Sequence, residues 1–170
     1  MAAAARRWRP AGRDPLTGLA GPALFPAASQ RSLDHGARSG RHSAVLLIEL
    51  NDAPEQADEV LVTFARLLRG CVPPTGLPVR LDGDRFAVVL PDLAFGEQAY
   101  EVAGRIAAAL GPIVAARQLV TLAAAVGVAV AAPGELTHDE IVHRATAAML
   151  RAKQHGPDTR WAAWPQPDAA

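Results

Sequence analysis

An Asp-Gly dipeptide between two apolar runs constrains the fold of this chain more than any other feature. It is Asp82-Gly83, in the segment VRLDGDRFAVVL. Asp-Gly between apolar runs is a strong signal for a β-hairpin, because both residues tolerate a positive φ. We therefore predict a hairpin over residues 77–91. Asp84 and Arg85 add two charges at its tip, either as an ordinary solvated loop or as part of a site that handles phosphate.

Helix and strand patterns alternate on both sides of this hairpin. Continuous apolar runs of strand length predict two more strands, at residues 43–50 and 119–131. Segments with apolar residues at helical spacing, bounded by capping residues, glycines or prolines, predict four helices. The helices span residues 22–40, 52–70, 96–110 and 137–156. A short strand at residues 159–164 is predicted to pair with the edge of the sheet.

Explicit boundary signals support the second and fourth helices. Asp52 is a capping residue with Pro54 in the first turn that follows, and Gly70 is predicted to end that helix. Thr137 and Glu140 have the spacing of a capping box. The side chains predicted to face the core from the last three helices are Val60, Leu61, Phe64, Leu67, Leu68, Val102, Ile106, Ala109, Leu110, Ile141, Ala145, Ala148, Met149 and Ala152.

The order of these elements contains a βαββαβ kernel, which resembles the ferredoxin-like arrangement. We predict an α+β fold with a mostly antiparallel central sheet and helices that cover one side of it. The chain has 170 residues, of which 50% are hydrophobic, enough for one sizeable core. We expect a single domain over residues 13–164, with a disordered tail at residues 1–12 and a second tail at residues 165–170.

Composition excludes several classes of protein. The formal net charge is zero and no basic stripe interleaves with aromatic residues, so nucleic-acid binding is not expected. The longest apolar run, which begins at Leu119, is shorter than the roughly 20 residues of a membrane-spanning helix. The N-terminal arginines precede no apolar segment of the kind found in a signal peptide. Cys71 is the only cysteine, which suits a reducing compartment, and we expect the cytoplasm.

Common catalytic and metal motifs are also missing. His138 and His143 are five residues apart, which does not place two imidazoles on one helix face as an H-E-x-x-H motif would. We expect the histidines to be solvated surface residues. The segment DGDRF lacks the later ligands of a calcium loop, and neither a G-x-S-x-G elbow nor a G-x-x-x-x-G-K loop occurs.

Four stretches in the right order resemble the GGDEF domain of the diguanylate cyclase family, from about Arg13 to Trp161. They are RDPLTGL (13–19), VLLIELND (45–52), RLDGDRFAVVL (80–90), and AVGVAV followed by ATAAMLRAKQHG (145–156). The resemblance implies a nucleotidyl-cyclase-like fold and a role in bacterial cyclic di-GMP signalling. Members of the family condense two GTP molecules, each held by one protomer of a dimer, with magnesium bound to carboxylates.

The signature hairpin departs from the family pattern at the residues that would bind metal. Asp82 stands where the first signature glycine is expected, and Arg85 replaces the metal-binding glutamate. Arginine has no acceptor atom and keeps its positive charge, so it cannot coordinate magnesium. Glu49 stands where the family has an aspartate ligand, and the Leu50 carbonyl could still serve as a ligand. We predict that Arg85 lies close to Glu49, with its guanidinium where the family holds a metal ion.

The guanine and product sites also differ from the family pattern. The connection after Asn51 is shorter by about eight residues, and it lacks the asparagine that reads guanine. Asp58 matches the second guanine-contacting residue. The Arg-x-x-Asp product site would fall on residues 73–76, which read PPTG. Lys153 matches a phosphate-contacting lysine, although a lysine in the last turn of a helix also complements the helix dipole.

We interpret the chain as a degenerate, catalytically inactive GGDEF domain that acts as a regulatory module by binding a protein partner or a second copy of itself. Two alternatives stay open: an effector that binds GTP or a related nucleotide without turnover, and a weakly active diguanylate cyclase. No cofactor is expected, and magnesium would be needed only by the active cyclase. The predicted remnants of the nucleotide pocket are Glu49, Asp58, Asp82, Gly83, Asp84, Arg85 and Lys153.

Overall fold

The computed structural model describes residues 12–51, 57–156 and 160–164. The predicted tails lie outside these ranges except for Gly12, as do Asp52 and Pro54, the predicted start of the second helix. The helices are α1 (Leu24–Ser39), α2 (Ala57–Cys71), α3 (Glu97–Ala109) and α4 (His138–Gln154). The strands are β1 (His42–Asn51), β2 (Leu77–Asp82), β3 (Arg85–Leu93), β4 (Gly111–Ala115), β5 (Gln118–Ala131) and β6 (Trp161–Trp164).

The strands form one sheet in the order β2-β3-β1-β5-β4, and β6 also pairs with β5. Neighbouring strands are antiparallel except β6, which runs parallel to β5 over Val126–Ala129. The kernel strands therefore follow the order β5-β1-β3-β2, which confirms the predicted α+β fold with a ferredoxin-like kernel. The short C-terminal strand lies at the sheet edge as predicted, beyond the segment of β5 that pairs with β4.

The helices cover both faces of the sheet, so the prediction that they cover one side was wrong. On one face, α2 and α3 pack on a cluster that includes Phe64, Phe86 and Ile106. On the other face, α1 and α4 pack on a smaller cluster that includes Phe25 and Ile141. β1 is almost continuously apolar because its alternate residues are buried in different clusters.

The predicted start of α4 is confirmed, whereas the predicted end of α2 is not. The capping box of α4 is present, with the Thr137 side chain accepting from Glu140 N and the Glu140 side chain accepting from Thr137 N. Gly70 does not end α2, which continues to Cys71. None of the helices in the described ranges is long and apolar enough to cross a membrane.

β4 was not predicted. It forms a hairpin with β5, and the turn residues Ala116 and Arg117 have φ of 53° and 61°. Two residues with positive φ favour Asn-Gly or Gly-Gly, and Ala-Arg gives no such signal. The turn therefore could not be recognised from the residue types at its centre.

The β2–β3 hairpin is confirmed, but its turn lies one residue later than the Asp-Gly signal indicates. Asp82 and Arg85 are paired at the ends of the two strands, so Gly83 and Asp84 form the turn. Gly83 has a positive φ of 25°. The Arg80 guanidinium donates to the Gly83 carbonyl at 3.1 Å and 3.3 Å, and these bonds hold the turn against β2.

Candidate functional site

The tip of the signature hairpin lies beside the end of β1. Glu49 and Arg85 are opposite each other in the antiparallel pairing of β1 with β3. One residue further, Leu50 N donates to the Asp84 carbonyl at 3.0 Å. The fold therefore brings the predicted metal carboxylate and the altered signature together, as the resemblance implies.

The side chain of Arg85 does not pair with Glu49, so that prediction was wrong. Instead Arg85 Nε lies 3.1 Å from Asp82 Oδ1, and Arg85 Nη2 lies 3.3 Å from Asp82 Oδ2. The two side chains are 54% and 60% exposed. The pairing is local because both residues flank the same two-residue turn. Asp82 thus neutralises the charge of Arg85 at the tip of the hairpin.

Glu49 has a different cationic partner. Lys153, in the last turn of α4, places its Nζ 2.6 Å from Glu49 Oε1. The side chains of Lys153 and Glu49 are 32% and 26% exposed, so this ion pair is more buried than the pair between Arg85 and Asp82. A short, charge-assisted hydrogen bond of this kind is stronger than a bond between neutral groups. Lys153 therefore does more than complement the helix dipole, because it holds the carboxylate predicted to bind metal.

The residues at this site do not fit a resident magnesium ion. Magnesium needs several oxygen ligands in near-octahedral geometry. One oxygen of Glu49 is held by Lys153, and Arg85 stands opposite Glu49 where a second carboxylate would be needed. Within the part of the chain that the structure describes, no group of three or more His, Cys, Asp or Glu residues could hold a metal ion.

Asp58 belongs to a separate cavity of about 400 Å³ between α2 and the β4–β5 hairpin. The cavity walls include Leu16 and Val62 on one side and Val114 on the other. Asp58 is exposed, and no other predicted site residue lines this cavity. The structure therefore brings together Glu49, the hairpin tip and Lys153, but it does not join Asp58 to them.

Arg80 is a positioning residue that the sequence analysis missed. Its Nη1 lies 3.2 Å from Asp14 Oδ1, and the two side chains are 16% and 15% exposed. Asp14 Oδ2 also accepts from Thr17 N at 2.8 Å and from Thr17 Oγ1 at 2.7 Å. An aspartate that accepts from the backbone N three residues further on is typical of a capped turn, so the spacing of Asp14 and Thr17 could have identified Asp14 but not Arg80.

These contacts change the pKa of Asp14 in opposite directions. Partial burial raises the pKa of Asp14, but the hydrogen bonds from Thr17 and the Arg80 guanidinium together outweigh it. The net effect is a pKa below the ordinary value for aspartate. The N-terminal turn, residues 13–19, is thereby tied to the base of the signature hairpin by a mostly buried ion pair.

Two histidines, His42 and His138, are half-buried and not the solvated surface residues that we expected. His138 is half-buried, and its ring meets Phe25 edge-on with 5.0 Å between the ring centroids. Its backbone N donates to the Gln30 side chain at 2.9 Å. Burial lowers the pKa of His138, and the nearby Asp139 only partly opposes that effect. His143 is exposed, and the two histidines form no site together.

The antiparallel sheet and the charged hairpin beside a strand carboxylate define an α+β domain of the nucleotidyl-cyclase-like class. The sequence profile of the family described as "Diguanylate cyclase, GGDEF domain" matches residues 11–159. The chain therefore belongs to the GGDEF domain family.

Known relatives agree with this assignment. Diguanylate cyclase TpbB from Pseudomonas aeruginosa UCBPP-PA14 is 33% identical over 157 residues, which cover 86% of this chain and 36% of TpbB. The chain thus spans about a third of the length of the curated relatives it matches. The structure of a shortened TpbB comprising only the GGDEF domain, from strain PAO1, superimposes with a TM-score of 0.81 at 31% identity and covers 88% of this chain and 92% of that chain.

A second solved structure is that of a related diguanylate cyclase in complex with an activator protein. Diguanylate cyclase SiaD from Pseudomonas aeruginosa, in complex with its activator SiaC, superimposes with a TM-score of 0.77 at 26% identity. The match covers 87% of this chain and 60% of the SiaD chain. The resemblance extends over most of this chain.

Proposed function

We propose that this chain is a catalytically inactive GGDEF domain that works as a protein-interaction module in cyclic di-GMP signalling in the cytoplasm. The observation that carries this proposal is the pairing at the hairpin site. Lys153 Nζ lies 2.6 Å from the candidate metal carboxylate Glu49, and Arg85 takes the place of the second carboxylate. Arg85 carries the argument, because Lys153 matches a lysine that the family retains, and the fixed positive charge of Arg85 opposes a divalent metal ion at Glu49.

The electrostatic cost of binding metal at this site supports the absence of turnover. Two unit charges about 4 Å apart in a partly solvated site interact by about 4 kcal/mol, and a dication meets a larger repulsion from each fixed cation. A magnesium ion would have to displace Lys153 from Glu49 and approach Arg85 as well. Phosphoryl transfer depends on positioning and on neutralising the developing negative charge, and losing one such group costs on the order of a hundredfold in rate.

The protein-interaction role is supported by the surroundings of the site. The sheet, the capping box of α4 and the ion pair between Asp14 and Arg80 form a scaffold that is held by contacts within the chain. The related cyclase SiaD is bound by an activator protein. A protein that contains such a domain is thus bound by another protein, and we propose that this chain binds a protein partner, with a second copy of itself as the alternative.

A cyclase assay tests the inactivity. The purified chain is incubated with GTP and magnesium, and cyclic di-GMP is measured by chromatography with the GGDEF domain of TpbB as the positive control. We expect no product above a mock preparation. Turnover that is abolished by Glu49→Gln would refute the proposal, since it would show that Glu49 still supports catalysis.

Restoring the signature residues tests whether Arg85 alone prevents catalysis or whether other changes in the pocket prevent it as well. The double substitution Asp82→Gly with Arg85→Glu removes the local ion pair and places a carboxylate opposite Glu49. We expect tighter magnesium binding than in the parent but still no cyclic di-GMP, because the shortened connection after Asn51 lacks the guanine-reading residue. Measurable turnover would show that Arg85 alone prevents catalysis and that the connection is adequate.

A GTP-binding effector is the second candidate, and the cavity beside Asp58 favours it. Its volume of about 400 Å³ falls within the range of small-molecule pockets. Calorimetric titration of GTP with and without magnesium tests it, with Asp58→Asn as the site variant and Asp34→Asn on the exposed face of α1 as the control. Saturable binding that only the Asp58 variant weakens would support the effector over the interaction module.

A further inference from the structure

A second cavity lies on the other side of α2, between the N-terminal turn, the end of α2 and the start of β2. Its volume is about 350 Å³, and we call it the arginine pocket. Arg13 and Arg69 supply its two charged groups, and leucine, valine and proline side chains make most of the wall. No aspartate or glutamate lines it. The pocket thus combines positive charge with apolar surface and has no negative charge of its own.

Both guanidinium groups are held in place by the N-terminal turn. Arg13 Nη1 donates to the Gly18 carbonyl at 2.9 Å, and Arg69 Nη2 donates to the Thr17 carbonyl at 2.9 Å. Both arginines line the same cavity, and each is anchored on the same N-terminal turn. Each of these bonds uses one of the five N–H groups that an arginine offers.

Neither cation of the arginine pocket has an acidic partner. Among the residues that the structure describes, no carboxylate forms an ion pair with Arg13 or Arg69. The nearest aspartate in sequence, Asp14, pairs with Arg80. The two positioned guanidinium groups therefore keep donors free for a ligand, and their planar geometry suits a carboxylate in particular.

The apolar wall of the pocket is rigid and partly open to solvent. Leu24 is 38% exposed, and Leu77 is half-buried against the core. Pro73 and Pro74 lead into a tight turn that is closed by Gly76 N donating to the Pro73 carbonyl at 2.9 Å. Two consecutive prolines fix this backbone, so the wall is formed before any ligand binds.

We propose that the arginine pocket binds an acidic peptide segment of a protein partner, in which an aspartate or glutamate is next to a large apolar side chain. This inference rests on the proposed role as a protein-interaction module and names the binding surface. The carboxylate would bind Arg13 and Arg69, and the apolar side chain would pack on Leu24 and Leu77. We favour a peptide over a nucleotide because leucine, valine and proline side chains make most of the wall, which suits an apolar side chain.

Selection from a phage-displayed library of random dodecapeptides on the immobilised full chain tests this proposal. We expect the enriched peptides to share an acidic residue beside a large apolar one. The best peptide is then labelled and titrated in solution by fluorescence anisotropy. Arg13→Gln with Arg69→Gln should weaken its binding by about tenfold or more, because two charge-assisted contacts are lost.

The matched control is the double variant Arg31→Gln with Arg38→Gln, on the exposed face of α1. It removes the same charge without touching the pocket, and we expect a change of less than about twofold. If both double variants weaken the peptide equally, the attraction comes from overall charge and the proposal is wrong. Thermal melting of each variant confirms that it is folded.

A second variant keeps both arginines and their hydrogen bonds. Pro74→Glu places a carboxylate at the exposed rim of the pocket, and Pro74→Gln is its neutral control. We expect the glutamate variant to weaken the peptide by about tenfold relative to the glutamine variant, since like charges then face each other. Equal affinities of these two variants would contradict binding at this rim.

Two further outcomes would overturn the proposal. One is a selection that enriches no peptides, or only peptides without acidic residues. The other is cyclic di-GMP binding that displaces the peptide and depends on Arg13 and Arg69, which would make the pocket a nucleotide site. Neither depends on catalysis. A failed selection with no cyclase activity would reject the pocket alone, whereas cyclase activity in an otherwise peptide-binding chain would reject the proposed inactivity alone.

Discussion

Replacing Asp14 by asparagine tests whether the N-terminal turn is fastened to the signature hairpin by charge. The side chains of Asp14 and Arg80 are 15% and 16% exposed, so solvent screens their ion pair less than it screens a surface pair. Asp14→Asn keeps an oxygen that can accept from Thr17 but loses the charge-assisted bonds to Arg80. Hydrogen bonds to charged groups contribute about 1.5–3 kcal/mol each, and we expect the free energy of unfolding to fall by about 2–3 kcal/mol.

Thermal and urea unfolding, followed by circular dichroism, measure this loss. A loss of about 2–3 kcal/mol lowers the melting temperature of a domain of this size by about 4–12 °C. A double-mutant cycle with Arg80→Gln isolates the interaction between the two side chains. The control is Asp92→Asn, which removes an ion pair to Arg41 whose side chains are 51% and 41% exposed. We expect that control to cost about 0–1 kcal/mol.

The pH dependence gives an independent check of the same pair. The pKa of Asp14 is lowered in the folded state, so its contribution to stability is complete above the ordinary aspartate pKa of about 3.9 and is lost as the pH falls below it. Asp14→Asn should therefore destabilise the protein at neutral pH and have little effect in strong acid. A coupling energy below about 0.5 kcal/mol, or a loss that does not depend on pH, would refute the reasoning.

Three further predictions concern packing and titration. Gly127→Ala should cost about 3 kcal/mol or more of unfolding free energy, because a Cβ there would overlap the Ala145 carbonyl and Met149 N. A loss below about 1 kcal/mol would contradict this packing. Thr137→Ala should cost about 1 kcal/mol through loss of the capping box, measured against the exposed Thr75→Ala. The lowered pKa of His138 predicts that stability falls as the pH drops through about 6.5, and His138→Phe should flatten that part of the pH profile.

The fold could be predicted where residues carry a local signal that tertiary contacts do not override. The capping box at Thr137 and Glu140 sets the start of α4, and the apolar runs set β1 and β5. The distribution of helices over the two faces of the sheet was predicted wrongly, because periodicity shows which face of a helix is buried but not which face of the sheet it meets. The unbroken apolar run of β1 was the available signal, since such strands are buried on both faces.

The candidate site was predictable in its residues but not in their partners. Backbone pairing places Arg85 opposite Glu49, as the resemblance implied. From that position alone, the two side chains would also be expected to contact each other. Instead, each of the two side chains pairs with a different residue. Arg85 pairs with Asp82 across a two-residue turn. Glu49 pairs with Lys153 of α4, and Lys153 lies 104 residues further along the chain. Ion pairs of this kind depend on rotamers and on helix placement, which motif spacing does not record.

The register of the sheet explains why the altered site persists inside an intact fold. Ile48 and Phe86 form the pair next to that of Glu49 and Arg85 in the β1–β3 register. Both are almost completely buried in the same apolar cluster. Sliding β3 by one residue would move Phe86 to the opposite face, so the core fixes which side chain stands opposite Glu49. The charge at position 85 can therefore change without disturbing the scaffold. The same separation lets the charges at the signature hairpin vary while the surfaces around it, including the arginine pocket, continue to form.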